Sequence, residues 1–269
     1  MCGIAGYNLD ADSRVDRTLA AQALLAGIAE RGADAVGYAH RGPNSPVAIH
    51  KRRSGATALI EEVVLPYDAT DALVHVRDYT KGHPTILANN HPIRHGAIVG
   101  IHNGIIANDE EIFDRHDIAR SEPEMTVDSE AIFALVNLLS TADAALEELH
   151  GTMATAWLDE REVSVLYLAR GIGRPLWLGR SRREVFFAST RSALEVVERT
   201  LRLTLRKHEV AEGRLLRLEH GQITSQARFH ADRTYRETSS LPAVRAPHEA
   251  ALCLAKLATL VGARTIRPV

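Results

Sequence analysis

Short apolar runs separated by polar turns fill most of the chain, and one long amphipathic stretch lies near its start. Residues Cys2 to Asn8 form a brief apolar run, which predicts a buried strand. From Asp16 to Glu30 apolar residues recur at intervals of three and four, which predicts a helix. The interval from Val36 to Arg53 predicts a strand, a turn at residues 41–46 rich in glycine and proline, and a second strand.

The remainder alternates between strands in neighbouring pairs and a few helices. Helices are predicted from Asp128 to Leu139, Ala142 to Leu149 and Ser192 to Glu198. Because strands follow strands instead of alternating strictly with helices, the pattern indicates an α+β fold with largely antiparallel sheets. The predicted strands are Leu73 to Arg77, Ala97 to His102, Met153 to Leu158, Val163 to Ala169, Leu176 to Leu178, Val185 to Ala188, and a terminal hairpin of Arg214 to Leu218 and Gln222 to Ser225.

A change in composition near residue 235 divides the chain into residues 1–235, a folded domain, and residues 236–269, a linker and a terminal helix. The stretch from Pro247 to Gly262 is rich in alanine and leucine. Its apolar face packs either on the domain or on a partner.

Overall composition is that of an ordinary enzyme of 269 residues with a formal charge of −2. No apolar run approaches the ~18 residues of a membrane span, and the start of the chain lacks a signal-peptide pattern. Two cysteines provide no disulfide framework, so a cytoplasmic location is expected. Acidic residues interrupt the basic clusters, which argues against nucleic-acid binding. The 13 histidines show no metal-ligand spacing, so no metal or organic cofactor is expected.

The opening Met1-Cys2-Gly3 is the strongest chemical signal. Removal of Met1 would leave a thiol and an α-amine on one residue, and an amine with a pKa of about 7.7–8.0 can accept the thiol proton. The alternative is that Cys2 is a small apolar residue at the start of a buried strand.

Five further segments accompany this cysteine in a fixed order: Arg31 to Gly37, His75 to Gly82, Asn89 to Pro92, His102 to Asn108, and Asp128 to Glu130. With Cys2 to Gly6, they resemble the class II glutamine amidotransferases, which are N-terminal nucleophile hydrolases, and most closely the glutaminase domain of glucosamine phosphate synthase. The resemblance covers roughly residues 2–230 and implies a four-layer αββα sandwich of two mainly antiparallel sheets.

The resemblance implies that Cys2 attacks the side-chain amide of glutamine and forms a thioester. Negative charge then develops on the former carbonyl oxygen and requires donors fixed in advance. The family pattern assigns these donors to the Asn103 side chain and the Gly104 backbone. The same Asn-Gly pair is also typical of a tight β-hairpin turn.

The same resemblance implies that a second set of residues binds the substrate. Arg77 pairs with the α-carboxylate of glutamine and Asp128 with its ammonium group, while Thr80, Lys81 and Gly82 line the pocket from the loop after Arg77. The alternatives are a strand-end ion pair for Arg77 and a helix N-cap for Asp128.

Structural support is expected from Arg31 and Asp34, which hold the nucleophile strand, and from three histidines that act as hydrogen-bonding residues: His75, His91 and His102. One loop departs from the family pattern, because Asp78-Tyr79-Thr80-Lys81 stands where the relatives carry Trp-Ala-Thr-His. A carboxylate at Asp78 could repel an anionic substrate group if it points inward.

The predicted function is hydrolysis of glutamine to glutamate and ammonia. Only about 35 residues follow the matched region, too few for an acceptor domain, so a separately encoded ammonia-accepting synthase is expected as partner. The alternatives are a γ-glutamyl amide hydrolase acting on a small metabolite and a catalytically weak glutamine-binding or assembly module. The sequence leaves the oligomeric state open.

Overall fold

The computed structural model describes residues 2–237 and 242–265, in which thirteen strands and six α-helices are defined. The strands are β1 (Gly3–Leu9), β2 (Ala35–Arg41), β3 (Ala48–Arg52), β4 (Asp71–Arg77), β5 (Ile93–His95), β6 (Ile98–Ile106), β7 (Gly151–Asp159), β8 (Val165–Arg170), β9 (Trp177–Arg180), β10 (Glu184–Ala188), β11 (Arg206–Glu209), β12 (Arg214–Glu219) and β13 (Gln222–Arg228). The helices are α1 (Arg17–Ile28), α2 (Asp109–Arg115), α3 (Glu130–Leu138), α4 (Ala142–Glu147), α5 (Arg191–Leu201) and α6 (Pro247–Thr265).

Two sheets are formed from these strands. The first has seven strands in the order β11-β9-β10-β1-β4-β2-β3, and the second has six in the order β13-β12-β8-β7-β6-β5. Every strand pair within the described residues is antiparallel. The predicted α+β class with antiparallel sheets is therefore confirmed.

The alternation of side chains along each strand separates three apolar layers. In β1, Tyr7 and Leu9 face a layer shared with α1, α5 and α6, whereas Ile4 faces the other sheet. In β7, Trp157 faces α3 and α4, whereas Leu158 lies between the sheets. Helices thus cover the outer face of each sheet, and the predicted four-layer αββα sandwich is confirmed.

Predicted and observed elements agree closely where periodicity is strong. Asp16 is the N-cap of α1 and its carboxylate accepts a hydrogen bond from Leu19 N at 2.8 Å. The terminal hairpin of β12 and β13 is present. The sequence did not reveal β5, β11 or α2: β5 has three residues, β11 is the charged sequence Arg-Lys-His-Glu, and α2 presents few apolar side chains.

Helix α6 lies against the domain. Cys253 and Leu257 are buried in the layer that contains α1, and Glu249 accepts a hydrogen bond from Thr57 N at 2.8 Å. Leu252 and Leu254 on α6 are exposed. Residues 238–241 of the predicted linker, Met1 and residues 266–269 lie outside the described residues. Within the described part of the chain, none of the helices combines the length and apolar character needed to span a membrane.

Candidate active site

The predicted site residues meet between the two sheets because of strand periodicity. Ile4 in β1 and Leu73 in β4 face the inter-sheet layer, so Cys2, His75 and Arg77, at even spacing from them, face it as well. Antiparallel pairing of Gly3 with Val76 places Cys2 opposite Arg77. From the second sheet, Ile101 faces the same layer, and so does Asn103 two residues later.

Cys2 is held at the edge of this layer by its backbone and its thiol. The carbonyl of Cys2 accepts a hydrogen bond from Arg31 Nε at 2.8 Å, and its Sγ lies 3.5 Å from the Asp78 carbonyl. Burial raises the pKa of the Cys2 thiol, and the Asp78 contact and the charge of Arg77 oppose this shift only in part. The thiol therefore requires a base to act as a nucleophile near neutral pH.

The Asn103 side chain is fully buried, and neither its Oδ1 nor its Nδ2 has a hydrogen-bond partner among the described residues. Buried amides are rarely left in this condition, because an unpaired polar group loses its hydration without replacement. The arrangement is typical of donors reserved for a ligand. Chemically, Nδ2 can donate to an oxyanion that develops in the inter-sheet layer.

Gly104 continues strand β6 and does not begin a hairpin turn. Asn103 pairs with Ala154 and Gly104 with Met153 in the β6–β7 ladder, so the turn alternative for Asn-Gly is wrong. The backbone at Gly104 has φ of +153°, and a Cβ there would lie 1.9 Å from the Thr152 carbonyl oxygen. Only glycine fits this position.

Arg77 is almost completely buried and organises the loop that follows it. Its guanidinium donates to Asn90 Oδ1 at 2.6 Å, to the Lys81 carbonyl at 2.8 Å and to the Gly82 carbonyl. The partners of Arg77 are an amide oxygen and two backbone carbonyls, so the alternative of a strand-end ion pair is wrong. Lys81 and Gly82 are close to Arg77 through their backbones, whereas Thr80 is exposed.

The Lys81 side chain points to helix α2 and away from the loop. Its Nζ lies 2.8 Å from both carboxylate oxygens of Asp109 and 3.0 Å from Glu110 Oε1. Although partial burial opposes protonation, these hydrogen bonds raise the pKa of Lys81 overall. The ammonium group therefore anchors the loop to α2.

Asp128 lies just before helix α3 but does not cap it. The N-cap position belongs to Ser129, and Asp128 Oδ2 accepts a hydrogen bond from Ile106 N at 2.7 Å, which ties α3 to β6. Burial raises the pKa of Asp128 to about 6 in spite of that hydrogen bond. Asp128 and Arg77 lie within electrostatic range of each other, so a buried cation and a buried acid occupy the same part of the site.

Three histidines fill the space beside these residues as neutral rings. His75 Nε2 lies 3.1 Å from the His102 carbonyl, and the His75 and His91 rings stack with centroids 4.2 Å apart. His102 contacts Ser129 Oγ at 2.8 Å. Burial lowers the pKa of His75 and of His102 to about 3 and that of His91 well below its usual value, so none carries a charge near neutral pH.

Asp34 acts on the loop and not on the nucleophile directly. Its Oδ2 accepts a hydrogen bond from Tyr79 N at 2.9 Å, and its own N–H donates to the Arg77 carbonyl at 3.0 Å. Arg31 bonds to Cys2 itself. Asp34 and Arg31 therefore fix the two ends of the contact between Cys2 and residue 78.

Two residues near the site had no predicted role. Asn90 accepts a hydrogen bond from Arg77, and its place within the Asn89-Asn90-His91-Pro92 motif was the available signal. Arg245 lies next to Asp78 although 167 positions separate them, and no local pattern marks it.

Comparison with known proteins shows which protein family the sequence is similar to. Residues 82–196 match the family described as glutamine amidotransferase domain. The chain is 30% identical over 225 residues to a glutamine–fructose-6-phosphate aminotransferase (isomerizing) of Shigella flexneri, covering 79% of this chain and 35% of that protein. It is 31% identical over 199 residues to the Caulobacter vibrioides protein of the same name, covering 70% and 32%. The chain thus spans about a third of the length of these curated relatives.

Two solved structures share the fold. A glutamine phosphoribosylpyrophosphate amidotransferase from B. subtilis, complexed with ADP and GMP, superposes with a TM-score of 0.67 at 19% identity, covering 86% of this chain and 50% of that one. An allosteric regulatory enzyme of purine biosynthesis gives a TM-score of 0.66 at 21% identity with the same coverage.

The predicted resemblance to the glutamine amidotransferases is therefore confirmed: residues 82–196 match that domain family, and the chain shares its fold with a solved amidotransferase. The chain is homologous to the glutaminase domain of the fructose-6-phosphate aminotransferases.

Proposed function

We propose that this chain hydrolyses the side-chain amide of glutamine through a thioester on Cys2 and provides the ammonia to an acceptor enzyme. The observation that carries the proposal is the buried, unpaired amide of Asn103, on the sheet face opposite Cys2. A donor without a protein partner, in the same layer as a thiol, fits stabilisation of an oxyanion.

The proposed reaction begins with Cys2 as the mature N-terminus. The α-amine accepts the thiol proton, the thiolate sulfur attacks the amide carbon, and the carbonyl oxygen becomes an oxyanion held by Asn103 Nδ2 and Gly104 N–H. The carbon–nitrogen bond then breaks as the amine returns the proton to nitrogen, so ammonia leaves and a thioester remains. Water, deprotonated by the same amine, attacks the thioester carbon. The carbon–sulfur bond then breaks, glutamate leaves, and the Cys2 thiolate recovers its proton from the α-ammonium group.

Charge complementarity supports glutamine as the substrate. Arg77 can pair with the α-carboxylate and Asp128 with the α-ammonium group. Burial lowers the pKa of Arg77, and the charge of Asp128 is close enough to oppose this shift. The loop of Thr80, Lys81 and Gly82 lies over Arg77 through the Lys81 and Gly82 carbonyls. This arrangement can close over a bound amino acid and exclude water.

The experiment combines mass spectrometry with a glutaminase assay on the same preparation. Intact mass should show loss of Met1, and glutamate and ammonia should appear in equal amounts from glutamine. Cys2→Ala should abolish both products, whereas Cys253→Ala, at the buried second cysteine, should retain them. Activity in a preparation that keeps Met1 would refute the role of the free amine.

We further propose that the acceptor enzyme is separately encoded and contacts helix α6. Leu252 and Leu254 are exposed on α6, on either side of the buried Cys253. Replacing both leucines with lysine should abolish capture of the acceptor and any stimulation of glutaminase activity by it, while basal activity stays at the wild-type level. A chain whose activity is indifferent to every captured protein would favour a self-sufficient γ-glutamyl amide hydrolase.

A further inference from the structure

Asp78 places a second carboxylate at the mouth of the candidate site. Its backbone carbonyl is the group that contacts Cys2 Sγ, and its side chain is 13% exposed. Asp78 also follows Arg77 directly in the chain. An unpaired carboxylate here would weaken the positive potential that Arg77 offers to an anionic group.

Arg245 places a positive charge against this carboxylate. Its Nε lies 3.2 Å from Oδ1 and 3.2 Å from Oδ2 of Asp78. The backbone N–H groups of Arg245 and Ala246 both donate to the Glu30 carbonyl at 2.8 Å. Glu30 precedes Arg31, which bonds to the Cys2 carbonyl, so Arg245 is attached to the same turn that holds the nucleophile.

Helix α6 fixes Arg245 from its other side. The helix begins at Pro247, two residues later, and is anchored by Glu249 on Thr57 N and by the burial of Cys253. The backbone of Arg245 is therefore held on both sides, and this limits the positions that its guanidinium can take beside Asp78.

We propose that Arg245 is a positioning and charge-balancing residue for the glutamine site, which neutralises Asp78 and holds the start of loop 78–82 against Cys2. The inference rests on the proposed function for the identity of the substrate. Arg245 contacts the Asp78 carboxylate at ion-pair distance, and Arg31 also lies within electrostatic range of Asp78. An ion pair with one exposed partner contributes little to the free energy of unfolding. We therefore expect loss of the Arg245–Asp78 pair to weaken anion binding and to leave stability nearly unchanged.

The first test measures charge at Cys2 by alkylation and requires no turnover. In a Cys253→Ser background, the rates with iodoacetate, an anion, and iodoacetamide, its neutral counterpart, are compared by mass spectrometry of full-length protein. Arg245→Gln should lower the iodoacetate-to-iodoacetamide ratio about tenfold, because the anionic reagent loses a compensating positive charge near the thiol. Adding Asp78→Asn should restore the ratio.

The second test measures glutamine kinetics on the same variants. Arg245→Gln should raise KM about tenfold with kcat within about twofold, since substrate binding and not chemistry is affected. Arg191→Gln, which breaks an exposed ion pair with Glu195 on α5, is the matched control and should match wild type in both tests.

The outcomes separate the two proposals. Wild-type protein without glutaminase activity contradicts the proposed function, and the alkylation ratio still decides the role of Arg245. An unchanged ratio in Arg245→Gln overturns the inference. Equal impairment of Arg245→Gln and the double variant with Asp78→Asn also overturns it, because neutralisation of Asp78 would then not be the cause.

Discussion

Replacement of Asn103 by leucine should affect stability and activity in opposite directions. Leucine is close to asparagine in shape and has no polar atoms. Because Oδ1 and Nδ2 make no hydrogen bond to the described residues, the change breaks no bond between protein groups. It removes instead a buried amide whose desolvation costs about 1–3 kcal/mol.

The unfolding free energy should therefore rise by about 1 kcal/mol or more, equivalent to roughly 2–4 °C in Tm for a domain of this size. At the same time the oxyanion loses its side-chain donor. Loss of one such donor lowers kcat by about 10²–10³, or about 2.7–4 kcal/mol. The measurements are thermal unfolding and glutaminase kinetics on one preparation.

Asn8 provides the matched control because it is equally buried but fully bonded. It donates to Asp71 Oδ1 at 2.6 Å and to the Ser164 carbonyl, and it accepts from Gly221 N at 2.8 Å. Asn8→Leu should destabilise the protein by about 3 kcal/mol, at about 1 kcal/mol for each hydrogen bond, and leave kcat unchanged. If Asn103→Leu destabilised the fold as strongly as Asn8→Leu and kept wild-type kcat, Asn103 would be an ordinary structural residue.

Three other substitutions test the remaining site assignments. The folded-state pKa of Asp128 is above its usual value, so its ionisation opposes folding as pH rises through about 6, by up to about 3 kcal/mol. Asp128→Asn should therefore stabilise the protein more at pH 8 than at pH 5 in urea unfolding, and should raise KM for glutamine; an equal gain at both pH values would contradict this. Arg77→Lys should raise KM far more than it lowers kcat, because a point charge replaces a two-pronged donor, and unchanged KM would remove Arg77 from the site. Gly104→Ala should lower both the yield of folded protein and its Tm, since the added Cβ meets the Thr152 carbonyl oxygen at 1.9 Å, and a Tm equal to that of wild type would contradict the observed path of β6.

Strand and helix positions were predictable because they depend on periodicity over a few residues. Alternation along β4 placed His75 and Arg77 on one face of their strand, and the pairing of β1 with β4 in the structure brought Cys2 to that face. The four-layer arrangement came from the resemblance of the motifs, since periodicity alone does not say which strands are neighbours.

Asn103 and Asp128 show where local patterns mislead. Asn-Gly is a turn signal, and aspartate before a helix is a capping signal. In the structure, Asn103 and Gly104 pair with β7 as part of β6. The N–H of Ile106 donates a hydrogen bond to the Asp128 carboxylate. Tertiary pairing outweighs these local preferences because each alternative would leave backbone groups of a central strand without partners.

The sequence by itself determined the nucleophile candidate, the order of the motifs and the alternating faces, all of which are properties of neighbouring residues. Only the tertiary structure decided that Lys81 turns to Asp109 and that Arg245 faces Asp78. Such pairings bring together residues 28 and 167 positions apart. They depend on how helices and sheets pack, and a charged side chain carries no local signal of the distant partner that will neutralise it.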